Sequence, residues 1–272
     1  MDYRKETMDI FDQSASKQYR EKDDHLVGHG SRQHYCEIVR ELSGGFGKKI
    51  NVLDLGCGTG RYFHCLRNVK RLMGIDISAH MLDLARDPVK SKQIDVEDIE
   101  LRCGDIYSLE LPDQSFDLIY SIGVVGEYSP INNVFLDKLS GLLAPKGRLF
   151  FTVVDVYSRF QMPENKQASF TRRALRKFFP LLPPFAKKSL NRALSSFYMT
   201  DRELTALLRK SQFATFNVSR FEHPSGWQGA HLDCLAEKHD KVGGAAATVA
   251  RRGADTPQEN TLVVFSLPEQ QG

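Results

Sequence analysis

The stretch VLDLGCGTG (residues 52–60) runs from an apolar segment into three glycines that alternate with other residues. The segment from Ile50 to Leu55 has the length and the apolar composition of a buried strand. Tyr62, Phe63 and Leu66 follow at helical spacing and predict a helix after the glycines. Glycine is favoured where the backbone takes unusual dihedral angles or lies against a ligand. A dinucleotide site uses a longer glycine spacing to bind a pyrophosphate, so this loop favours a ligand without phosphate at that point.

Strand-like and helical segments alternate on both sides of this loop. The other strands predicted in this part of the chain are residues 71–76, 99–105, 116–122 and 148–155, and helices are predicted over residues 35–42, after the N-cap Ser78 and over residues 132–143, with a turn at Pro145-Lys146-Gly147. Beyond Val156 the alternation stops, and a helix capped by Thr200 precedes two strand-like runs, residues 214–220 and 231–236. The pattern predicts an α/β fold with a doubly wound, mostly parallel seven-stranded sheet. The loops that follow its parallel strands share one edge, where ligands of such sheets bind.

Two carboxylates lie at the ends of the second and third predicted strands. Asp76 comes sixteen residues after Gly60, and a carboxylate at that place can accept hydrogen bonds from a ribose diol. Asp105 can accept a hydrogen bond from an adenine amino group. Ile77 and Ile106, the residues that follow the two acids, offer apolar faces to a ring. Either acid alone could be a solvated loop carboxylate, but the two acids and the glycine loop at three successive strand ends make coincidence a poor explanation.

At this level of detail the sequence resembles the class I S-adenosylmethionine-dependent methyltransferases. The matching motifs are VLDLGCGTG (52–60), GIDIS (74–78) with Met81 and Leu82, CGDI (103–106), LPDQSFDLIYS (111–121), LLAPKGRL (142–149) and the segment 198–213. They cover about residues 48–238 apart from a basic insert. Together they are specific for the fold and the cofactor, and they carry little information about the substrate.

The resemblance implies S-adenosyl-L-methionine as cofactor and S-adenosyl-L-homocysteine as product. In this family the glycine loop surrounds the methionine part of the cofactor, the acid at Asp76 holds the ribose and the acid at Asp105 binds the adenine amino group. The Ser121 carbonyl would bind the methionine ammonium, and an early aromatic residue such as Tyr19 would close the pocket. The cofactor-binding residues implied in this way are Tyr19, Asp54, Gly56, Cys57, Gly58, Gly60, Asp76, Ile77, Met81, Gly104, Asp105, Ile106 and Ser121.

Methyl transfer from a sulfonium requires neither a covalent nucleophile nor a metal, because the leaving group is already a good one and the protein mainly orients the acceptor. A general base is needed only where the acceptor must lose a proton. Candidates at the expected edge are Glu127, Tyr128 and Asp155. Many relatives have a His-rich motif where this chain has Gly126-Glu127-Tyr128, so no base is carried over by resemblance. His29, His223 and His231 lie in segments that the sequence analysis does not place, and each is more simply explained as structural or exposed.

The cysteines form an odd set without a CxxC pair: Cys36, Cys57, Cys65, Cys103 and Cys234. This pattern argues against a disulfide framework and against a structural zinc site, and it predicts reduced thiols that pack as small apolar side chains. The chain also lacks a His, Cys and Asp pattern with metal-ligand spacing, so no metal is predicted.

The composition is that of a globular protein, with 41% hydrophobic and 26% charged residues. The apolar runs are too short to cross a bilayer, and the first residues show no signal-peptide core, so a cytoplasmic protein is expected. We expect an N-terminal helical cap (1–47), a methyltransferase domain (48–238) and a low-complexity C-terminal tail (239–272), within which residues 261–267 could add an edge strand.

The insert at residues 156–197 carries nine Lys and Arg residues against one acid, although the net charge of the whole chain is only +3. Its apolar residues lie among prolines, and its position after the fifth strand predicts a helical lid over the active-site edge. The simpler interpretation is a pair of helices that cap the core with their charges in water. If the insert is a lid, its composition favours an acidic metabolite as the acceptor. A lipid-like or membrane-borne acceptor is the second choice and RNA the third.

The function favoured by the sequence is methyl transfer to an oxygen or nitrogen atom of a small, acidic or lipid-like molecule. One alternative is an RNA-modifying methyltransferase, because SIGVV (121–125) has similar forms among tRNA-modifying enzymes. Another is a non-catalytic partner subunit that binds the cofactor. Nucleic acid is the least favoured partner.

Overall fold

The computed structural model describes residues 3–26, 30–158, 179–194, 197–222 and 230–240, all within one compact unit, Met1–Asp240. Outside the described residues lie the tail from residue 241, His29, His223 and most of the basic insert, including Arg172, Arg173, Arg176 and Lys177. In the described part of the chain, no helix combines the length and the apolar character needed to span a bilayer.

The described residues form a seven-stranded sheet in the order β3-β2-β1-β4-β5-β7-β6. The strands are β1 (Ile50–Leu55), β2 (Val69–Asp76), β3 (Val96–Cys103), β4 (Phe116–Ser121), β5 (Leu143–Val154), β6 (Phe213–Glu222) and β7 (Ala230–Lys238). Strands β1 to β5 are parallel, and β7 pairs antiparallel with both β5 and β6. The predicted fold class, a mostly parallel seven-stranded α/β sheet, is confirmed, and the carboxyl ends of β1 to β4 share one edge.

Helices cover both faces of this sheet. They are α1 (Tyr3–Ile10), α2 (Gln13–Leu26), α3 (Gly30–Gly44), α4 (Ala79–Ala85), α5 (Asn133–Leu142), α6 (Pro184–Leu194) and α7 (Asp201–Leu208). The predicted N-caps are present: Ser78 accepts a hydrogen bond from the Met81 amide, and Thr200 forms a reciprocal capping box with Glu203. Helix α6 lies within the predicted lid, but the lid as a whole stays a prediction because residues 159–178 fall outside the described ranges.

Two apolar clusters hold the helices to the sheet. One face of the sheet packs against α5 and α7 through fully buried residues such as Phe135, Phe151 and Leu204. The other face packs against α3 and α4, and it includes Val39 and Phe63. Helix α3 therefore contributes directly to the core, because Val39 is completely buried. Burying such side chains contributes about 1.5–3 kcal/mol each.

The predicted helix over Tyr62, Phe63 and Leu66 is wrong. This segment forms only a 3-10 turn, Phe63–Cys65, and Asn68 has a left-handed φ of 57° immediately before β2. Because β2 begins at Val69, the chain must return to the start of the neighbouring parallel strand within a few residues. The apolar residues therefore fill the core as a compact turn rather than as one face of a helix.

The predicted turn at Pro145-Lys146-Gly147 is instead part of β5. The register between β4 and β5 shifts here, from Phe116 opposite Leu143 to Leu118 opposite Arg148. Lys146 has a φ of 61°, which is the left-handed conformation that a bulge accommodates. The local turn signal is thus correct, but strand pairing continues on both sides of it.

The prediction of five reduced cysteines is wrong for two of them. Cys36 on α3 and Cys65 in the 3-10 turn form a disulfide, with their Cα atoms 5.3 Å apart and a sequence separation of 29. Among the described residues, Cys57 and Cys234 are buried free thiols and Cys103 is an exposed one. This disulfide depends on the packing of α3 against the 3-10 turn. The spacing of the cysteines in the sequence contains no information about that packing.

Candidate functional site

The glycine loop follows β1 with three residues in left-handed conformations, Gly56 at φ 73°, Gly58 at 54° and Gly60 at 72°. A methyl group on Gly56 would lie 2.3 Å from Val124 Cγ2, so only glycine fits there. At Gly58, by contrast, no described atom lies within 4 Å of that position. The loop therefore packs closely on one side and leaves its backbone open to a ligand on the other.

We predict that Gly56→Ala lowers the free energy of unfolding by more than the conformational cost alone. The matched control is Gly47→Ala, because Gly47 also has a positive φ (66°) but no described neighbour within 4 Å of the added methyl group. Gly47→Ala should lower the free energy of unfolding by about 1–2 kcal/mol. Gly56→Ala should lower it by about 1–3 kcal/mol more, because of the clash. Urea denaturation measures both changes, and equal losses in the two variants would contradict the close packing.

Asp76, at the end of β2, is bound to the glycine loop by its carboxylate. One oxygen accepts a hydrogen bond from the Gly58 amide and the other from the Ser78 amide, each at 2.9 Å. Burial raises the pKa of Asp76, and these amide hydrogen bonds oppose the rise. The carboxylate is thus oriented at the edge of the sheet, with its remaining acceptor capacity directed to the space beside the loop.

Asp105 follows β3 and contacts the first helix. Its Oδ2 atom accepts a hydrogen bond from the Tyr3 hydroxyl at 3.1 Å and lies 2.8 Å from Arg4 Nε. Its Oδ1 atom accepts the Tyr107 amide at 3.2 Å. Helix α1 therefore lies over this end of the site, where the sequence analysis places a ligand amino group.

These elements line a partly open cavity at the carboxyl edge of the sheet. Ten of the residues predicted to bind cofactor line it: Tyr19, Gly56, Gly58, Asp76, Ile77, Met81, Gly104, Asp105, Ile106 and Ser121.

Three other predicted cofactor residues, Asp54, Cys57 and Gly60, are not among the described residues that line the cavity. They lie in or next to the glycine loop. Asp54 is buried, and burial raises its pKa to about 8, although a hydrogen bond with Tyr120 opposes the shift. The position of Asp54 suits a role in supporting the glycine loop from the side away from the cavity.

The three candidate bases occupy different environments. Tyr128 lines the cavity, and Glu127 lies beside it with its Oε2 atom 3.8 Å from the position of a methyl group on the cavity residue Gly123. Burial raises the pKa of Glu127 to about 7, and a hydrogen bond with Tyr128 opposes the rise. The charge of Glu127, followed by burial, raises the pKa of Tyr128 well above its usual value. The two side chains thus form a coupled pair at one wall.

Asp155 and His231 are not among the described residues that line the cavity. Asp155 accepts hydrogen bonds from Arg220 Nε at 2.7 Å and from the Tyr157 amide at 2.9 Å. His231, in β7, packs edge-on against Tyr35 with their ring centroids 6.5 Å apart. The structure therefore places Tyr128 at the cavity with Glu127 beside it, and Asp155 forms an ion pair with Arg220.

The sequence analysis missed the contribution of α1 to the cavity. Tyr3, Thr7 and Phe11 line it, and the Phe11 ring packs against Tyr128 with ring centroids 5.2 Å apart. The Thr7 hydroxyl also donates a hydrogen bond to the Tyr128 carbonyl at 3.4 Å. Their spacing of four residues places all three on one helix face, a signal that was available in the sequence. Leu55, Ile75, residues 122–125, Ser129 and Phe135 complete the missed part of the lining.

Comparison with known proteins agrees with this geometry. Residues 46–205 match the family model of the methyltransferase domain. The chain is 34% identical over 131 residues to a malonyl-[acyl-carrier protein] O-methyltransferase of Yersinia pestis, a match covering 48% of this chain and 46% of that protein. It is 29% identical over 244 residues to a demethylmenaquinone methyltransferase of Lactobacillus johnsonii, covering 80% of this chain and 95% of that protein. The similarity thus spans about half of one relative and nearly all of the other.

Solved structures show the same fold. A phosphoethanolamine N-methyltransferase of Haemonchus contortus superimposes with a TM-score of 0.58 at 13% identity, covering 85% of this chain and 58% of that one. The magnesium protoporphyrin IX methyltransferase of Synechocystis, with bound S-adenosylhomocysteine, superimposes with a TM-score of 0.54 at 15% identity. This match covers 85% of this chain and 97% of that one.

The fold and the edge cavity define a class I S-adenosylmethionine-dependent methyltransferase. The chain belongs to the methyltransferase domain family, and S-adenosylmethionine is its cofactor. The cavity fits that cofactor. The backbone at Gly58 is free for a ligand to approach, because no described atom lies near it and its positive φ disfavours any side chain. The Asp76 and Asp105 carboxylates and apolar side chains line the same space.

Proposed function

We propose that this chain catalyses methyl transfer from S-adenosylmethionine to an oxygen or nitrogen atom of a lipid-like small molecule. The observation that carries the proposal is one cavity lined by the glycine loop, by the Asp76 and Asp105 carboxylates and by Tyr128, with Glu127 beside it. The cavity thus combines the groups expected for a nucleoside with a group able to accept a proton.

The proposed cofactor roles follow from position. The backbone of the glycine loop would contact the methionine portion, Asp76 the ribose hydroxyls and Asp105 the adenine amino group. The Ser121 hydroxyl donates to the Leu55 carbonyl at 2.9 Å, which fixes the end of β4. That contact supports a role for the Ser121 backbone carbonyl as the acceptor for the methionine ammonium. The cofactor supplies an electrophilic methyl group on a sulfonium.

We assign proton removal to Glu127. A carboxylate with a pKa of about 7 is half ionised near neutral pH, which suits a general base. It would take the proton of the acceptor hydroxyl or amine, directly or through the Tyr128 hydroxyl, as the methyl group is transferred. Helix α1 and its Phe11 ring would exclude water from the same wall.

The described part of the basic insert supports a lipid-like acceptor over an acidic one. Lys188 Nζ and Arg192 Nη2 contact the Glu203 carboxylate at 3.0 and 2.7 Å, so these charges are already paired. Leu181 and Phe185, by contrast, are 79% and 75% exposed. Exposed apolar side chains next to basic ones are typical of surfaces that contact lipid. The Lactobacillus relative is named for demethylmenaquinone, which is compatible with such an acceptor.

The test is to incubate the protein with S-adenosylmethionine and separate aqueous and organic fractions of a cell extract, and to identify methylated products by mass spectrometry. We expect S-adenosylhomocysteine and a methylated product with the organic fraction. Turnover with the aqueous fraction alone would favour an acidic metabolite, and methylated RNA would favour the RNA-modifying alternative. Cofactor binding without turnover on any fraction would identify a non-catalytic subunit and contradict the proposal.

We also predict that the double variant Leu181→Ser and Phe185→Ser raises KM for the acceptor by about tenfold or more and leaves cofactor affinity unchanged. The two substitutions together remove exposed apolar contacts worth about 1.5–3 kcal/mol each when buried. Ile99→Ser, an exposed residue in the edge strand β3, is the control. Steady-state kinetics measure KM, and an unchanged KM in the double variant would contradict a role for this surface in acceptor binding.

A further inference from the structure

We propose that Cys36, His64 and Cys65 bind a zinc ion when the disulfide between the two cysteines is reduced. The three residues are distinct from the cavity described above: Cys36 lies on α3, and the other two lie in the 3-10 turn that follows the glycine loop. Their ligand atoms all lie within 4.8 Å of one another. The sequence predicts no metal here because Cys36 is distant from the other two in sequence.

The positions of the ligand atoms suit tetrahedral coordination. Zinc–sulfur distances of about 2.3 Å and zinc–nitrogen distances of about 2.0–2.1 Å give nitrogen–sulfur separations of roughly 3.6 Å around a tetrahedron. His64 Nε2 lies 3.5 Å from Cys65 Sγ and 4.0 Å from Cys36 Sγ. The two sulfur atoms must move apart, to roughly 3.8 Å in the same geometry, and Cys36 Sγ must move slightly closer to His64 Nε2.

Opening the site requires two electrons, which two external thiols supply. A thiolate attacks Cys36 Sγ, because Cys36 is partly exposed and Cys65 is fully buried. This attack forms a mixed disulfide at Cys36 and releases Cys65 as a thiolate. A second external thiolate then releases Cys36, and the two external thiols leave as their disulfide. Zinc binding displaces whatever protons the two thiols carry.

Cationic side chains lie beside the two cysteines. Arg40 Nη2 lies 3.8 Å from Cys36 Sγ, and Arg67 and Lys90 line the adjoining cavity, so a thiolate is stabilised there. Two thiolates balance the charge of the zinc ion, so the bound site adds no net positive charge beside these cations.

The fourth coordination position faces the adjoining cavity, which His64 and both cysteines line. Water or a small anion can occupy it, and the nearby cations favour an anion. The zinc ion would join α3 to the turn after the glycine loop, as the disulfide does in the oxidised protein. Disulfide and metal are therefore alternative crosslinks of the same two elements.

The experiment uses the full chain, reduced with a phosphine and freed of metal, or left oxidised. After incubation with zinc and removal of the excess, we expect one zinc per reduced chain and none per oxidised chain, measured with a chromophoric indicator. Cys36→Ser and His64→Asn should each lose the metal, whereas Cys103→Ser, which removes an exposed free thiol, should retain it. Circular dichroism establishes that the variants are folded.

Cobalt provides a second measurement on the unaltered protein. The reduced chain should give thiolate-to-cobalt charge transfer and the intense visible bands of tetrahedral coordination, and zinc should displace both. Reduced protein that binds neither metal would overturn the proposal. Equal zinc binding by wild-type protein and His64→Asn would overturn the assignment of histidine as a ligand.

Discussion

Glu127→Gln should lower kcat for methyl transfer by about 10²–10⁴-fold, the usual contribution of a general base. Glutamine keeps the size of the side chain and its ability to contact Tyr128 but cannot accept the proton. Cofactor affinity should stay unchanged, because Glu127 is not among the described residues that line the cavity. Glu97→Gln is the matched control, since Glu97 is an exposed acid in β3 that pairs with Lys49.

The pH dependence should follow the same carboxyl group. A base is active when deprotonated, so the rate of the wild-type enzyme should rise with pH through about 7 and level off above it. Glu127→Gln should lose this rise. Profiles of kcat and of kcat/KM from pH 5 to pH 9 measure both effects. A variant that keeps the wild-type rate and pH profile would exclude Glu127 as the base.

Asp76→Ala should weaken binding of S-adenosylmethionine by about 10–150-fold, which corresponds to the loss of hydrogen bonds to a charged group worth about 1.5–3 kcal/mol. The variant also removes the acceptor for the Gly58 amide, so the loop loses its anchor to β2. Asp98→Ala is the control, because Asp98 is an exposed acid of the neighbouring strand.

Calorimetric titration with S-adenosylmethionine and with S-adenosylhomocysteine measures this affinity. Equal affinities for Asp76→Ala, Asp98→Ala and the wild-type protein would exclude the ribose role of Asp76. Binding of NAD by a wild-type chain that binds neither cofactor nor product would contradict the assignment of the cavity itself.

Features encoded in short segments could be predicted from the sequence. The strand, glycine loop and acid at Asp76 are specified within about thirty residues, because burial periodicity and glycine conformation are local properties. The local apolar pattern at Phe63 was nevertheless misleading, because the start of β2 limits the length of that segment. Its burial was correctly implied, but its helical conformation was not.

Features that depend on distant parts of the chain could not be predicted. The Cys36–Cys65 bond and the contact of Tyr3 with Asp105 join segments that meet only after α1 and α3 pack on the sheet. Nothing in the spacing of five cysteines identifies which two are neighbours in space. Similarly, the sequence of the GEY motif at Glu127 does not report the burial that raises its pKa.

The contacts of Asp105 bear on the adenine role proposed for this residue. Tyr3 and Arg4 occupy its carboxylate, so adenine would have to displace them in order to bind as proposed. Within the described helix α1 no residue is buried and Arg4 is half exposed, so release of the helix would break chiefly the contacts of Tyr3 and Thr7 at the cavity and of Phe11 just beyond the helix. The measured affinity is then the intrinsic affinity multiplied by the population of molecules in which α1 has withdrawn from Asp105. Changes at the start of the chain can thus alter cofactor binding without touching any residue that the cofactor contacts.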